Sequence, residues 1–126
     1  MNYFYCLVTL LLLQMNTLVH AQQSGNYKTV EEKEFSELSK KQNVVVLDVR
    51  TPEEYKEGHL DKAVLMNYNS NTFQQEVNKL DKSKTYLVYC KAGGRSARAS
   101  AELAKKGLVV YNLDGGISNW KGKILK

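Results

Sequence analysis

Four apolar runs divide the chain, and the stretches between them carry helical spacing. Val44-Val45-Val46-Leu47 contains no polar position, the mark of a strand buried on both faces. Ala63 to Met66, Tyr86 to Tyr89 and Leu108 to Leu113 predict three more strands. Phe35 and Leu38 form an apolar stripe that predicts a helix through Lys41, opened by Thr29 and Glu32 as a capping box. A second start lies at Thr51, with Pro52 at the first helical position, Glu54 closing the box and Gly58 ending the helix. Phe73, Val77 and Leu80 share one face of a helix over Thr72 to Leu80, and Ala97 to Lys105 predicts another that stops near Gly107. Asp114-Gly115-Gly116 then turns the chain into a short last element containing Trp120. Strands alternating with helices imply an α/β fold with a parallel sheet covered on both faces, whose ligands sit at the carboxyl ends of the strands.

The N-terminus changes this picture. Cys6 to Leu13 is an apolar core of signal-peptide length, and Val19-His20-Ala21 ahead of Gln22 places small residues where signal peptidase cuts. The core is shorter than the ~20 apolar residues a bilayer span takes, so export is expected rather than a stable membrane span. A positive n-region is weak, since no Lys or Arg precedes the core. The expected organisation is a leader at 1–21, a polar lead-in at 22–28 and one domain at 29–126, exported to a periplasmic or extracellular space. Roughly 105 residues remain after the cut, enough for one core. Hydrophobic residues make up 43% of the chain and proline occurs once, so neither disorder nor a fibrous class is indicated. The net charge of +5 comes from scattered lysines without an aromatic platform, which argues against nucleic acid and suits anionic small molecules.

After the cut Cys90 is the one cysteine left, in a compartment where it has no internal disulfide partner. It opens Cys90-Lys91-Ala92-Gly93-Gly94-Arg95-Ser96, between a strand and a helix. Two glycines let the main chain curl, and the helix start aims unpaired N–H groups into the curl, a setting that favours a thiolate nucleophile. Loop length bears on the guest. Four residues separate Cys90 from Arg95, one fewer than in cysteine-dependent phosphatases, so the ring suits the terminal sulfur of a persulfide better than a tetrahedral phosphate. Such a sulfur is accepted from a donor and handed to a nucleophile in two steps.

Other groups are read around that thiol. Arg95 either meets an anionic substrate or braces the loop, and Lys91 either raises the local potential or is plainly solvated. Arg98 is expected to face solvent or a carboxylate. Asp48 and Arg50 end the first strand, so a parallel sheet brings them to the Cys90 edge as supporting residues that brace the loop. No Cys-x-x-Cys pair exists for dithiol exchange, and His59 with one distant cysteine is no metal-ligand set. His59 is expected to be structural, at a helix exit rather than beside Cys90 as a base. No cofactor is implied.

Four ordered blocks resemble a single-domain rhodanese. Leu47-Asp48-Val49-Arg50-Thr51-Pro52-Glu53-Glu54-Tyr55 is similar to the family's first block and Gly58-His59-Leu60 to its continuation. Cys90 to Ser96 is similar to the active loop, and Leu113-Asp114-Gly115-Gly116 with Ile117 and Trp120 to the closing block. The resemblance implies a three-layer α/β sandwich around a mostly parallel five-stranded sheet. It also implies a sulfurtransferase that moves sulfane sulfur from a small anion such as thiosulfate to cyanide, a small thiol or a protein thiol. Carried over by position, Cys90 is the catalytic cysteine, Lys91, Ala92, Gly93, Gly94 and Arg95 form the sulfur cradle, and Asp48 and Arg50 support it. One departure is Asp61-Lys62, where the family has proline and glycine before Ala63. A persulfide carrier for a partner protein and a small phosphatase or arsenate-handling enzyme are the alternative readings.

Overall fold

The computed structural model describes residues 26–126. The leader expected at 1–21, with Cys6, and most of the lead-in lie outside the described residues. Chain order is β1 (Lys28–Val30), α1 (Glu32–Ser39), β2 (Val44–Asp48), α2 (Pro52–Glu57), β3 (His59–Leu60) and β4 (Val64–Leu65). There follow α3 (Phe73–Asn78), β5 (Thr85–Tyr89), α4 (Gly94–Lys105), β6 (Val109–Leu113), a 3-10 turn (Ile117–Asn119) and β7 (Ile124–Leu125). Five strands form one sheet in the order β1-β6-β5-β2-β4, every neighbouring pair parallel. β3 and β7 pair antiparallel as a separate ribbon. Among the described residues no helix is long and apolar enough to cross a membrane.

Sheet register divides the core. Val46, Leu87 and Leu113 face one side, where α1 contributes Phe35 and α2 contributes Tyr55. Leu47, Val88 and Val110 face the other, where Phe73 and Val77 of α3 and Ala99 and Leu103 of α4 cover them. Helices on both faces force the central strands to be apolar on both sides, which is why their sequences read as unbroken runs. From β2 the chain moves outward to β4, and from β5 it moves outward to β6 on the opposite side. The carboxyl ends of β2 and β5 therefore flank the point where strand order reverses, the place where ligands of open parallel sheets bind.

The second helix starts as its sequence requires: Thr51 accepts from the Glu54 N–H at 3.3 Å, the Glu54 carboxylate reaches back to Thr51, and Pro52 follows the cap. The first does not. Thr29 lies inside β1, paired with Asn112, and α1 starts after Glu31 with no side-chain cap. A strand that buries Val30 against β6 outweighs a cap, and Glu32 instead accepts the N–H groups of Lys121 and Gly122. β1 also begins at Lys28 and Tyr27 packs on the core, so the last two lead-in positions are part of the fold. The Asp61-Lys62 departure still makes a turn, with Ala63 N–H bonded to the Leu60 carbonyl and Lys62 at φ +62°.

The turn after β6 fixes the Cys90 loop from behind. Ile117 and Ser118 donate their N–H groups to the Cys90 and Lys91 carbonyls at 2.9 and 3.0 Å. Gly116 permits this approach: it sits at φ +62°, and a Cβ there would overlap both carbonyl groups. Gly116→Ala is expected to lower stability by about 2 kcal/mol or more, because a left-handed backbone and a backbone clash are imposed together. Urea denaturation should show a lower midpoint at an unchanged slope.

Candidate active site

Asp48 ends β2 as a fully buried carboxylate, with Arg50 two residues on and 5% exposed. Arg50 Nε and Nη2 donate to the carboxylate at 2.9 and 2.7 Å, and the Arg50 N–H donates to Oδ1 at 3.0 Å. The same Nη2 also donates to the Gly58 carbonyl at 2.6 Å. From the neighbouring strand Tyr89 donates its hydroxyl to Asp48 at 2.7 Å and accepts the Leu60 N–H at 3.0 Å. Burial pushes the Tyr89 phenol well up, so it is a permanent donor to Asp48. The Arg50 guanidinium also lies over the Tyr89 ring, 5.6 Å from its centre. The pair expected to support the loop therefore supports the residue preceding Cys90.

Cys90 follows Tyr89 and its side chain is almost wholly buried. Gly93, at φ +115°, precedes α4 and turns its N–H onto the sulfur at 3.1 Å. The thiol donates to Ser96 Oγ at 3.3 Å, and that hydroxyl donates to the Gly93 carbonyl at 3.2 Å. Burial opposes ionisation here, yet the Ser96 hydroxyl and the amides of Ser96, Gly93 and Ala92 outweigh it and hold the thiol below its usual range. When the proton leaves, the Ser96 hydroxyl is positioned to turn from the Gly93 carbonyl to the sulfur. A thiolate gains the most from such donors, since hydrogen bonds to a charged acceptor are the strong ones.

Lys91, Ala92 and Gly94 are exposed at the loop surface, while Gly93 and Arg95 are half-buried. Arg95 braces: Nη1 and Nη2 donate to the two Glu54 oxygens at 2.6 and 3.0 Å. This fork holds the Glu54 carboxyl down at about 2, with burial opposing and Thr51 assisting. Arg98 is exposed, with its guanidinium 6.0 Å from the Tyr68 ring centre. His59 is engaged elsewhere, its ring stacked on Tyr55 at 3.8 Å and Nδ1 bonded to the Tyr55 carbonyl. Among the described residues no group of three or more His, Cys, Asp or Glu is placed to hold a metal.

Sequence reasoning placed Ser96 in the active-loop block without a role, missed Tyr89 as a member of the site, and saw Glu54 only as a cap. Ser96 carried a readable signal, since it lies one turn inside a helix whose N-terminus faces the sulfur. Tyr89 carried none, because a strand tyrosine reads as core.

A parallel α/β sandwich that seats a buried free thiol at a helix N-terminus, at the sheet's switch point, defines a class of cysteine proteins. The comparisons make the class specific. The family described as "Rhodanese-like domain" matches residues 31–123, and the chain belongs to it. A thiosulfate sulfurtransferase, GlpE, of Coxiella burnetii is 36% identical over 75% of this chain and 88% of its own. Among solved structures, a rhodanese-related protein from Thermoplasma volcanium superposes with a TM-score of 0.71 at 27% identity, over 79% of this chain and 98% of its own. A rhodanese-like domain protein from Staphylococcus aureus gives 0.66 at 29% identity, over 76% and 93%.

Ser96→Ala removes the one side-chain hydroxyl bonded to the sulfur without enlarging a buried residue. The midpoint of iodoacetamide alkylation of Cys90 against pH should move upward, and the rate at neutral pH should fall severalfold. Glu54→Gln keeps the capping geometry but removes the charge that holds Arg95. The expected loss is about 1 kcal/mol at neutral pH, modest because the side chains keep 21% and 25% exposure. Because the folded carboxyl titrates at about 2, below its ordinary 4.5, this stabilisation is complete above the ordinary value and is lost as pH falls from there towards 2. Urea midpoints of the two proteins should thus differ steadily near neutrality and converge in acid.

Proposed function

We propose that this protein is a sulfurtransferase that holds sulfane sulfur as a persulfide on Cys90, taking it from a small anion such as thiosulfate. The observation that carries the reading is the Gly93 N–H aimed at Cys90 Sγ at 3.1 Å, beside Ser96, at the start of a twelve-residue helix. Donors that favour a thiolate serve an anionic terminal sulfur equally. In the first step the thiolate attacks the outer sulfur of thiosulfate; a new S–S bond forms, the old one breaks and sulfite leaves with its electron pair. In the second, cyanide or a thiolate attacks the terminal sulfur and Cys90 leaves as thiolate. No external oxidant or reductant enters either step. The relative named as a thiosulfate sulfurtransferase supports the donor class.

Phosphate is a poorer guest. A phosphoryl group would stay in the loop with its oxygens and call for a free guanidinium, which Arg95, engaged by Glu54 on both oxygens, does not offer, whereas thiosulfate leaves only its outer sulfur there. The four-residue spacing between Cys90 and Arg95 points the same way. The leader read at 1–21 supports export, which would make the exposed loop at Lys91 to Gly94 available to acceptors outside the cytoplasm.

Incubation with thiosulfate followed by intact and peptide mass spectrometry should show one added sulfur on Cys90, released by cyanide as thiocyanate. Cys90→Ala should take up none and lose transfer entirely. An unmodified Cys90 peptide under conditions that load a control sulfurtransferase overturns the reading, and loading without turnover to any small acceptor turns it into a carrier.

A further inference from the structure

A cavity of about 270 Å³ opens between α1 and the β3–β7 ribbon. It belongs to the sheet face that packs Val46 and Leu60, opposite the face that packs Cys90, and is separate from the anion loop. Phe35, Val46, Leu60 and Trp120 give it an apolar floor. Phe35 and Trp120 meet edge to face at 6.0 Å, which fixes the indole. The Trp120 Nε1–H is shut off from solvent and meets no acceptor, an uncommon state for a buried donor. Lys40, Lys62 and Lys123 line the cavity against a single carboxylate, Asp61. None of these lysines is in an ion pair among the described residues.

These features select a ligand by exclusion. An apolar floor rejects inorganic sulfate, phosphate or thiosulfate, which would lose hydration with nothing to replace it. The volume falls just below the ~300 Å³ at which ordinary small-molecule sites begin, too small for a nucleotide or a two-chain lipid. Excess positive charge rejects amines and favours an anionic head. We propose that the cavity is a second binding site, for a small carboxylate with an apolar body such as a medium-chain or single-ring acid. The body lies on Phe35, Leu60 and the Trp120 face, and the carboxylate meets the lysines at the cavity rim.

Trp120 is the chain's only tryptophan and borders this cavity and the open grooves beside it, so its fluorescence reports binding and the lysine variants locate it. Titration of the protein with octanoate should give a saturable change in emission with half-saturation at about 1 mM or below. Acetate, lacking the body, should give none, and octanol, lacking the charge, should bind at least roughly tenfold more weakly. Lys62→Glu with Lys123→Glu alters exposed positions and should weaken octanoate at least roughly tenfold, while circular dichroism and Cys90 alkylation stay as in the wild type. Ser36→Leu, which narrows the cavity without a charge change, should weaken octanoate and octanol together. A featureless octanoate titration, equal binding of acid and alcohol, or wild-type affinity in the doubly reversed protein overturns the proposal.

Discussion

One buried carboxylate organises the functional end of this sheet. Asp48 has no solvent contact, and its oxygens are occupied by Arg50 and by Tyr89. A charge in that position is expensive to desolvate and is held only by complete hydrogen bonding. The bonds that satisfy it are also structural links: Arg50 continues to the Gly58 carbonyl, and Tyr89 continues to the Leu60 N–H. The end of β2, the residue before Cys90 and the entry to β3 are thereby locked together. Removing either ion would leave the other buried and unpaired, a change that costs about 3–5 kcal/mol.

From that anchor the position of the thiol follows. Asp48 pairs in register with Tyr89, so Cys90 leaves the sheet at the point where strand order reverses. Its carbonyl and that of Lys91 are held by Ile117 and Ser118, which places the loop between β2 on one side and the turn after β6 on the other. With the backbone fixed at both flanks, the Gly93 N–H stands aimed at the sulfur before any ligand arrives, while the Ser96 hydroxyl, bonded to the Gly93 carbonyl, has only to rotate towards it. Donors that need no rearrangement are the ones that stabilise a developing anion most.

The sequence was most legible where a single local rule decided the outcome. The apolar runs became strands because burial on both faces leaves no place for a polar residue, and Thr51-Pro52-Glu53-Glu54 became a helix start because every part of its cap is local. Thr29 obeyed the same local rule and yet joined a strand, since its partner Asn112 lies far along the chain. The site divides in the same way. Cys90, its glycines and the Asp48–Arg50 pair could be read from position alone, whereas the engagement of Arg95 by Glu54 spans forty-one residues of sequence. The β3–β7 ribbon was hidden for two reasons: its strands are two residues long, and its pairing is not local.

The Glu54–Arg95 pair also explains how the site treats charge. A free guanidinium at the loop end would be a strong, directional attractor for a hard oxyanion, and tying it to a carboxylate cancels much of that field at close range. What remains at Cys90 is a set of amide and hydroxyl dipoles, individually weak and collectively fixed. Sulfur spreads its negative charge over a large, polarizable atom, so several modest donors around it serve better than one concentrated charge to a side. By pairing its own arginine with Glu54 the chain surrounds the Cys90 sulfur with fixed amide and hydroxyl dipoles in place of a free guanidinium.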